Sequence, residues 1–421
     1  MRDTCTAAPG RSLAERSRSR VKVAAITAVI LLASACSSSG GSGGGGGGGT
    51  VTVGLATTLS GALSSSANGG QQGIEMAVKD LNAKGGVLGR QVKLVSEDDQ
   101  VTPAIGASDV RSLILSDKAV ALFGPLASSV AASEEAVAAQ YKVPLVLFMA
   151  NDAGLTTTTF TKYIYSVVPN TNMEPRAVAE YLAKASGGRQ ITIGTFAPDY
   201  SFGHDSVTGF LNALKELKVN YKLVDQQFPP LGESNIAPYL TKLVAAAPNY
   251  VYNAQFGSDL VTFTKQAEGY DFFNHTKVIA MYGEQELTAL GANVPAGTID
   301  FNRAPFWAMG SGIASWAKRY QATYGQLPSE WALLGYTAVQ TWADGVTKAG
   351  SFDGDKLATA LAGATVSTIR GDLTIRGCDH QAEVPEYIGV LTKTPDPVYG
   401  KPLWQAGSAF TAPWADISSP C

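Results

Sequence analysis

Histidine and cysteine are scarce in this 421-residue chain, with three of the first and four of the second. No CxxC pair and no Cys/His ligand set occurs, so a structural zinc site is not expected. Nucleophilic hydrolysis needs a base beside its Ser or Cys. Only His204, His275 and His380 are available, and none sits in a segment of triad character, so an enzyme is not expected. Basic charge is also short: 32 Lys and Arg stand against 35 Asp and Glu. A nucleic-acid footprint needs a basic stripe, and this composition offers none. No apolar run reaches the eighteen or so residues that cross a bilayer.

What is present begins with the N-terminus. Residues 1–22 carry Arg2, Arg11, Arg16, Arg18, Arg20 and Lys22 against Asp3 and Glu15, and VAAITAVILLASA follows at 23–35. A basic start, a short apolar stretch and small residues at its end form a secretory signal. The run Ala33-Ser34-Ala35-Cys36 resembles the lipobox of bacterial lipoproteins, although Ala33 stands where that family usually has leucine. The resemblance implies that Cys36 becomes a lipid-bearing N-terminus at the extracytoplasmic face of a bacterial cell membrane. An ordinary secretory signal with an incidental cysteine is the plain alternative. Loss of residues 1–35 would leave 26 basic against 33 acidic residues, a net charge of −7. The Ser/Gly stretch at 36–50 reads as a flexible tether. Its chance matches to GxGxxG lack a preceding strand and carry no weight. Cys5 leaves with the signal. Cys378 and Cys421 remain as an even pair in a disulfide-permissive compartment, and are expected to bond and staple the C-terminal tail; two unrelated thiols are the alternative.

From Val51 onward strands and helices alternate. TVTVGLAT, QVKLVSEDD, AVALFGP and VPLVLFMA read as strands, separated by helical patterns at 69–84, 104–117 and 128–141. The series restarts after Pro169, with helices near 173–186, 204–218, 234–246 and 258–269 between strands ITIGTF, YKLVDQQF, YVYNAQ and KVIAMY, and a helix-rich stretch closes it at 311–349. Such alternation predicts an α/β fold with parallel sheets covered on both faces. Breaks near 165–170 and 295–303 divide the pattern into two lobes: 51–167 with 300–378, and 168–299 with 379–421.

Ligands of open parallel sheets bind beyond the carboxyl ends of the strands. That rule singles out LSGALSSSAN, GPLASS, MANDAG, APDYSFG, NAQFGSD and YGEQE. Ser hydroxyls and backbone N–H groups at a helix start make an anion receptor. A lone carboxylate such as Glu284 suits an ammonium, and Tyr200, Phe202 and Phe256 suit apolar walls or cation–π faces. Each has a bland counterpart. Ser128 or Ser129 can simply cap a helix, Phe256 can pack a loop, Tyr200 and Phe202 can be core, and Glu284 can be solvated. The acidic SEDD at 96–99 reads better as a solvated strand end than as a metal site.

TLSGAL at 58–63, GIEMAVKDLNAKGGVLGRQVKLVSEDDQ at 73–100, LFGPLASS at 122–129, DYSFG, GESNIAPYLTKL at 232–243 and the late IRGDLTIRGCDHQ resemble the leucine/isoleucine/valine-binding family of ABC-importer solute receptors. The likeness runs through nearly all of the chain after the tether. It implies a type I periplasmic-binding fold: two Rossmann-like lobes joined by three crossovers, closing on a ligand about a hinge. It places the carboxylate-receiving serine at Ser128, the backbone receptor at Met149 and its hydroxyl neighbour at Asn151. The aromatics fall on Phe202, with Tyr200 nearby, and on Phe256. The ammonium acceptor falls on Glu284, and Ser66 replaces a tyrosine. Asn151, the smaller Ser66 and the phenylalanines depart from the family, and point to a larger side chain or a related amide or aromatic acid.

The expected activity is therefore capture without chemistry. A small amino-acid-like solute is gripped by cleft closure and handed to the permease subunits of an ABC importer, with no cofactor and no metal. A receptor of the same fold that feeds a sensor is the rival reading.

Overall fold

The computed structural model describes residues 48–61 and 63–418. The expected signal, the lipidation site Cys36, most of the tether and Cys421 lie outside the described residues. Cys378 is disulfide-bonded.

The first lobe is built from β1 (Thr50–Thr57), α1 (Ser64–Ala83), β2 (Gln91–Asp98), α2 (Pro103–Leu115), β3 (Ala119–Phe123), α3 (Ser128–Tyr141), β4 (Leu145–Leu147) and β5 (Ile164–Ser166). Its five strands pair in the order β2-β1-β3-β4-β5, all parallel. The short strand Leu145–Leu147 is wholly buried, as a parallel sheet covered on both faces requires. Helix α1 starts at Ser64, five residues before the apolar periodicity that predicted it, so part of the expected loop LSGALSSSAN is helix. Its first turn is Ser and Ala, which carry no apolar period and gave no signal.

The second lobe holds α4 (Met173–Ser186), β6 (Ile191–Phe196), α5 (Ser201–Glu216), β7 (Tyr221–Gln227), α6 (Ala237–Ala246), β8 (Tyr250–Asn253), α7 (Gly257–Glu268), α8 (Phe272–His275), β9 (Lys277–Ala280), α9 (Glu284–Leu290) and β10 (Ile299–Asn302). The chain then returns to the first lobe with α10 (Ser311–Tyr324), α11 (Glu330–Ala349), α12 (Gly354–Leu361) and the hairpin β11 (Thr365–Thr368) and β12 (Gly371–Thr374). It ends with β13 (Glu386–Pro395), β14 (Pro402–Trp404), β15 (Phe410–Ala412) and α13 (Trp414–Ile417). Strands β6 to β10 are parallel to their neighbours, but β13 runs antiparallel to β10 and carries β14 and β15. The second sheet is thus mixed, with an antiparallel edge that the alternating pattern did not foretell. The division expected between residues 299 and 300 falls inside β10, whose four residues all pair with β13.

Three segments, 167–172, 303–310 and 375–385, carry the chain from lobe to lobe. Arg370 ties two of them together, donating to the carbonyls of Val167 (3.2 Å) and Arg303 (3.0 Å). Gln381, in the third, donates to Val168 O at 2.6 Å. In the first lobe α1 lies directly on α11. A Cβ on Gly73 would sit 1.9 Å from the Ala332 carbonyl oxygen, so only glycine allows this approach. That contact sets the middle of α1 and the start of α11 side by side. Among the described residues, no helix is long and apolar enough to cross a membrane.

Candidate functional site

The carboxyl ends of the two sheets face each other, and the loops that leave them line a narrow crevice whose water-accessible volume is only about 10 Å³. The end of β3 supplies Leu126 and Ser128, and the end of β4 supplies Met149 and Asn151. Tyr200 and Phe202 follow β6, Phe256 follows β8, and Met281 follows β9. Arg303 comes from the second crossover and Trp331 from the start of α11. These ten side chains line the space together.

The polar members are oriented by partners of their own. Ser128 opens α3 and is buried, and its Oγ accepts a hydrogen bond from the Asp152 N–H at 3.3 Å. Its hydroxyl proton is left to donate, which suits an anionic oxygen beside a helix start. Asn151 donates through Nδ2 to Pro169 O (2.9 Å) and to Glu174 Oε2 (2.8 Å). Both amide hydrogens are thereby used, and its carbonyl oxygen is what it can offer a solute. Asn151 therefore acts as an acceptor, not as the combined donor and acceptor that its side chain allows.

Arg303 is the largest polar group at the site and is buried. Its Nε pairs with Glu174 Oε1, Nη2 donates to Glu174 Oε2 at 3.1 Å, and Nη1 donates to Met149 O at 2.9 Å. The guanidinium lies 5.1 Å from the centre of the Trp331 ring. Burial works against its charge, but Glu174 outweighs this and holds the guanidinium above its usual range. Its charge is compensated within the protein, so its role is to fix the Met149 loop and the Trp331 ring.

The opposite wall is aromatic. Tyr200 and Phe202 have ring centroids 5.9 Å apart, and Phe202 meets Phe256 edge-on at 5.8 Å. Burial pushes the Tyr200 hydroxyl well above the usual phenol range, which keeps it a neutral hydrogen-bonding group.

Three of the expected residues are placed elsewhere. Ser129 stands beside Ser128 but does not line the space. Ser66 is buried in α1 against Gly257, where its Oγ has no partner among the described residues. Glu284 caps the second-lobe side of a different contact. Its Oε1 accepts from Lys401 Nζ at 2.5 Å and from Thr288 Oγ1 at 2.6 Å. Lys401 lies in the antiparallel edge that the sequence pattern did not reveal, so nothing in YGEQE indicated that this carboxylate would already be paired.

Two other acids lie buried nearby. Glu286 accepts the Gly257 N–H at 2.7 Å through Oε1, while its Oε2 has no partner among the described residues. Glu330 precedes Trp331 and has both carboxyl oxygens unpartnered among the described residues. A Cβ on Gly283 would fall 2.2 Å from Glu330 Oε2, so glycine there makes room for the carboxyl group. Burial, and then the neighbouring Glu284, raises Glu286 to about 7. Burial and Glu286 raise Glu330 well above the carboxylate range.

Sequence reasoning missed Leu126, Met281, Arg303 and Trp331. Leu126 lies inside the segment GPLASS and Met281 directly precedes YGEQE, so both were within reach of the strand-end rule. Arg303 sits at a recognised break near 295–303, but a single arginine there gave no chemical signal. Trp331 begins a helix and reads as core.

A family model described as periplasmic binding protein matches residues 50–395. The chain belongs to that family. Among curated relatives, Leu/Ile/Val-binding protein homolog 4 of Brucella abortus (strain 2308) is 24% identical over 360 residues, covering 81% of this chain and 84% of the relative. The fold is shared with a solute-binding protein of an ABC transporter from Rhodopseudomonas palustris BisB5, in complex with 3,4-dihydroxy benzoic acid. That likeness has a TM-score of 0.78 at 21% identity and covers 86% of this chain and 98% of the other. It is shared also with a leucine-, isoleucine-, valine-, threonine- and alanine-binding protein from Brucella ovis in a closed conformation. There the TM-score is 0.76 at 22% identity, and 88% of this chain and 97% of that one are covered. The type I periplasmic-binding architecture expected from the motifs is therefore the architecture of this periplasmic binding protein.

Proposed function

We propose that this periplasmic binding protein is a lipid-anchored receptor that captures a small amino-acid-like solute in the crevice between its lobes and delivers it to the permease of an ABC importer. The observation that carries the reading is the meeting of Ser128, Met149, Asn151, Tyr200, Phe202 and Phe256, drawn from both sheets, around one crevice. Ser128 and the backbone at Met149 receive a carboxylate. The rings of Tyr200, Phe202, Phe256 and Trp331, with Leu126 and Met281, pack an apolar body. Glu284 is occupied by Lys401, so the group in the space open to an ammonium is the Asn151 carbonyl oxygen, with the buried carboxyl groups of Glu286 and Glu330 behind the lining. Names of relatives agree with a branched-chain amino acid as one member of the class. Anchoring through Cys36, part of the same proposal, would keep the receptor near its permease.

A second reading, an aromatic or other apolar acid without an amine, is favoured by one observation: no acidic side chain lines the space itself. Thermal-shift and calorimetric titration against matched pairs separate the two. Leucine is set against 4-methylpentanoate, and phenylalanine against 3-phenylpropionate and benzoate. Stabilisation by the amino acid of a pair and not by its deaminated partner is the expected result, since a ligand that binds only the native state raises the melting point. The reverse order establishes the second reading, and no response to either class removes both.

A further inference from the structure

The late motif IRGDLTIRGCDHQ puts an arginine where two of the crossovers begin. Thr368 pairs with Gly371, so β11 and β12 are joined by a turn of Ile369 and Arg370. Buried Val366 and Leu373 seat the hairpin on the core, and β11 packs on α11. The turn is held from both sides. Thr368 Oγ1 accepts the Arg370 N–H at 3.1 Å and donates to Gly371 O at 2.8 Å, and the Ile369 N–H donates to Gln340 Oε1 on α11 at 2.7 Å. Arg370 therefore rises from a fixed base. Its Nη1 donates to Val167 O at 3.2 Å and its Nη2 to Arg303 O at 3.0 Å. Among the described residues, its Nε is buried without a partner and no carboxylate accepts from the group. Burial pulls the guanidinium below its usual range.

We infer that Arg370 is a hinge pin and a positioning residue for the solute site: by gripping Val167 O and Arg303 O together, it holds the angle between the lobes that keeps the crevice narrow. The inference rests on the reading of the crevice as one that closes on a solute. Val167 opens the first crossover and Arg303 the second. A swing of one lobe on the other turns both segments, and so changes the gap between those two carbonyls. A planar guanidinium presents its donors in a fixed fork, and tolerates little of that change. Its bonds are also charge-assisted, which makes them stronger than neutral ones. The pin serves the crossover that reaches the site. Arg303 lines the crevice, its side chain pairs with Glu174 and donates to Met149 O at 2.9 Å, and Arg370 holds its carbonyl oxygen.

The third crossover is secured in another way. Ser166 N–H donates to His380 O at 3.1 Å, Ala382 N–H to Ser166 O at 2.8 Å, and Gln381 Nε2 to Val168 O at 2.6 Å. His380 also stacks on Tyr165, with ring centres 4.7 Å apart. The first and third segments are thus zipped by main chain and by rings. The second is joined to the first by side chains: Glu174 sets where the Arg303 side chain stands, and Arg370 sets where its backbone stands. Loss of Arg370 should free the second crossover to turn, while the zipped pair and the Glu174 contact stay whole.

The test uses the full chain without solute, with a donor and an acceptor dye on exposed positions of the two lobes, and reads the distribution of interlobe distance one molecule at a time. Arg370→Met keeps an unbranched side chain and removes both bonds, so the long-distance population should rise roughly tenfold. Arg370→Lys keeps the charge but not the fork, and should give a rise of about threefold. Gln340→Leu leaves Arg370 in place and loosens its base, for an expected rise of about twofold. Circular dichroism and urea midpoints separate a hinge role from a merely structural one. An Arg370→Met variant that unfolds at lower urea yet keeps the original distance distribution overturns the pin. Should that variant not fold, Arg370→Lys and Gln340→Leu decide, and original distributions in both overturn it. No solute enters the measurement, so an unchanged distance leaves the proposed ligand class standing, and a failed solute screen leaves the pin standing.

Discussion

The two walls of the crevice are made by different means. The first-lobe wall is polar and braced: Ser128 is held by Asp152, and Asn151 and Met149 are held by Glu174 and Arg303 through contacts between 2.8 and 3.3 Å. The second-lobe wall is a set of rings, Tyr200, Phe202 and Phe256, that brace one another by edge and tilt contacts. A braced polar wall fixes the direction of a solute. An aromatic wall supplies area and shape, and its contribution scales with the surface it covers. Orientation thus rests on the braced polar groups, and contact area on the rings.

The strongest way to break this comparison is to remove the brace. Glu174→Ala leaves the Arg303 guanidinium buried without its carboxylate, so stability should fall by about 3–5 kcal/mol. The denaturation midpoint in urea reads the loss. Glu174→Met combined with Arg303→Met should recover most of it, because an apolar pair of similar volume avoids the stranded charge. If the single variant were as stable as the original protein, the brace would not be what orders the polar wall.

Removing one ring tests the other wall. Phe202→Ala should weaken solute binding by about 2–3 kcal/mol through lost apolar contact, with preference between matched solutes little changed. Ser128→Ala should cost less, about 1 kcal/mol or near fivefold in affinity, but should fall on solutes with a carboxylate and spare their amides. Calorimetry on one solute and its amide gives both numbers. Equal loss for acid and amide in Ser128→Ala would show that the polar wall does not set direction.

The same contrast explains what could be read without a structure. Most strands and helices announced themselves by period, and α3 and α4 fall on the predicted residues 128–141 and 173–186. The strand-end segments held seven of the ten side chains around the space, six of them named individually, because the strand-end rule follows from topology and needs no knowledge of partners. It failed where a residue's role depends on something distant in the chain. Arg303 becomes part of the site through Glu174, 129 residues away, and Glu284 is removed from it by Lys401, 117 residues away. The antiparallel edge was invisible for a related reason. Strands β14 and β15 are three residues each, too short for a period of two to stand out from the surrounding Gly and Pro.

Glu284 gives the smallest effect on binding and so the sharpest test of the division between walls. Its carboxyl group is buried, and burial raises its pKa while Lys401 and Thr288 lower it. Glu284→Gln keeps the acceptor oxygen and removes the charge, so the contact with Lys401 weakens but is not lost. Stability should drop by about 1 kcal/mol, the difference between a charge-assisted and a neutral hydrogen bond on a lysine that is one-third exposed. Solute affinity should stay within twofold, because this carboxylate serves the C-terminal edge and not the crevice. A tenfold loss of affinity for an amino acid, with no loss for its deaminated partner, would instead return Glu284 to the role of ammonium acceptor. It would also mean that Lys401 yields its place when the solute arrives.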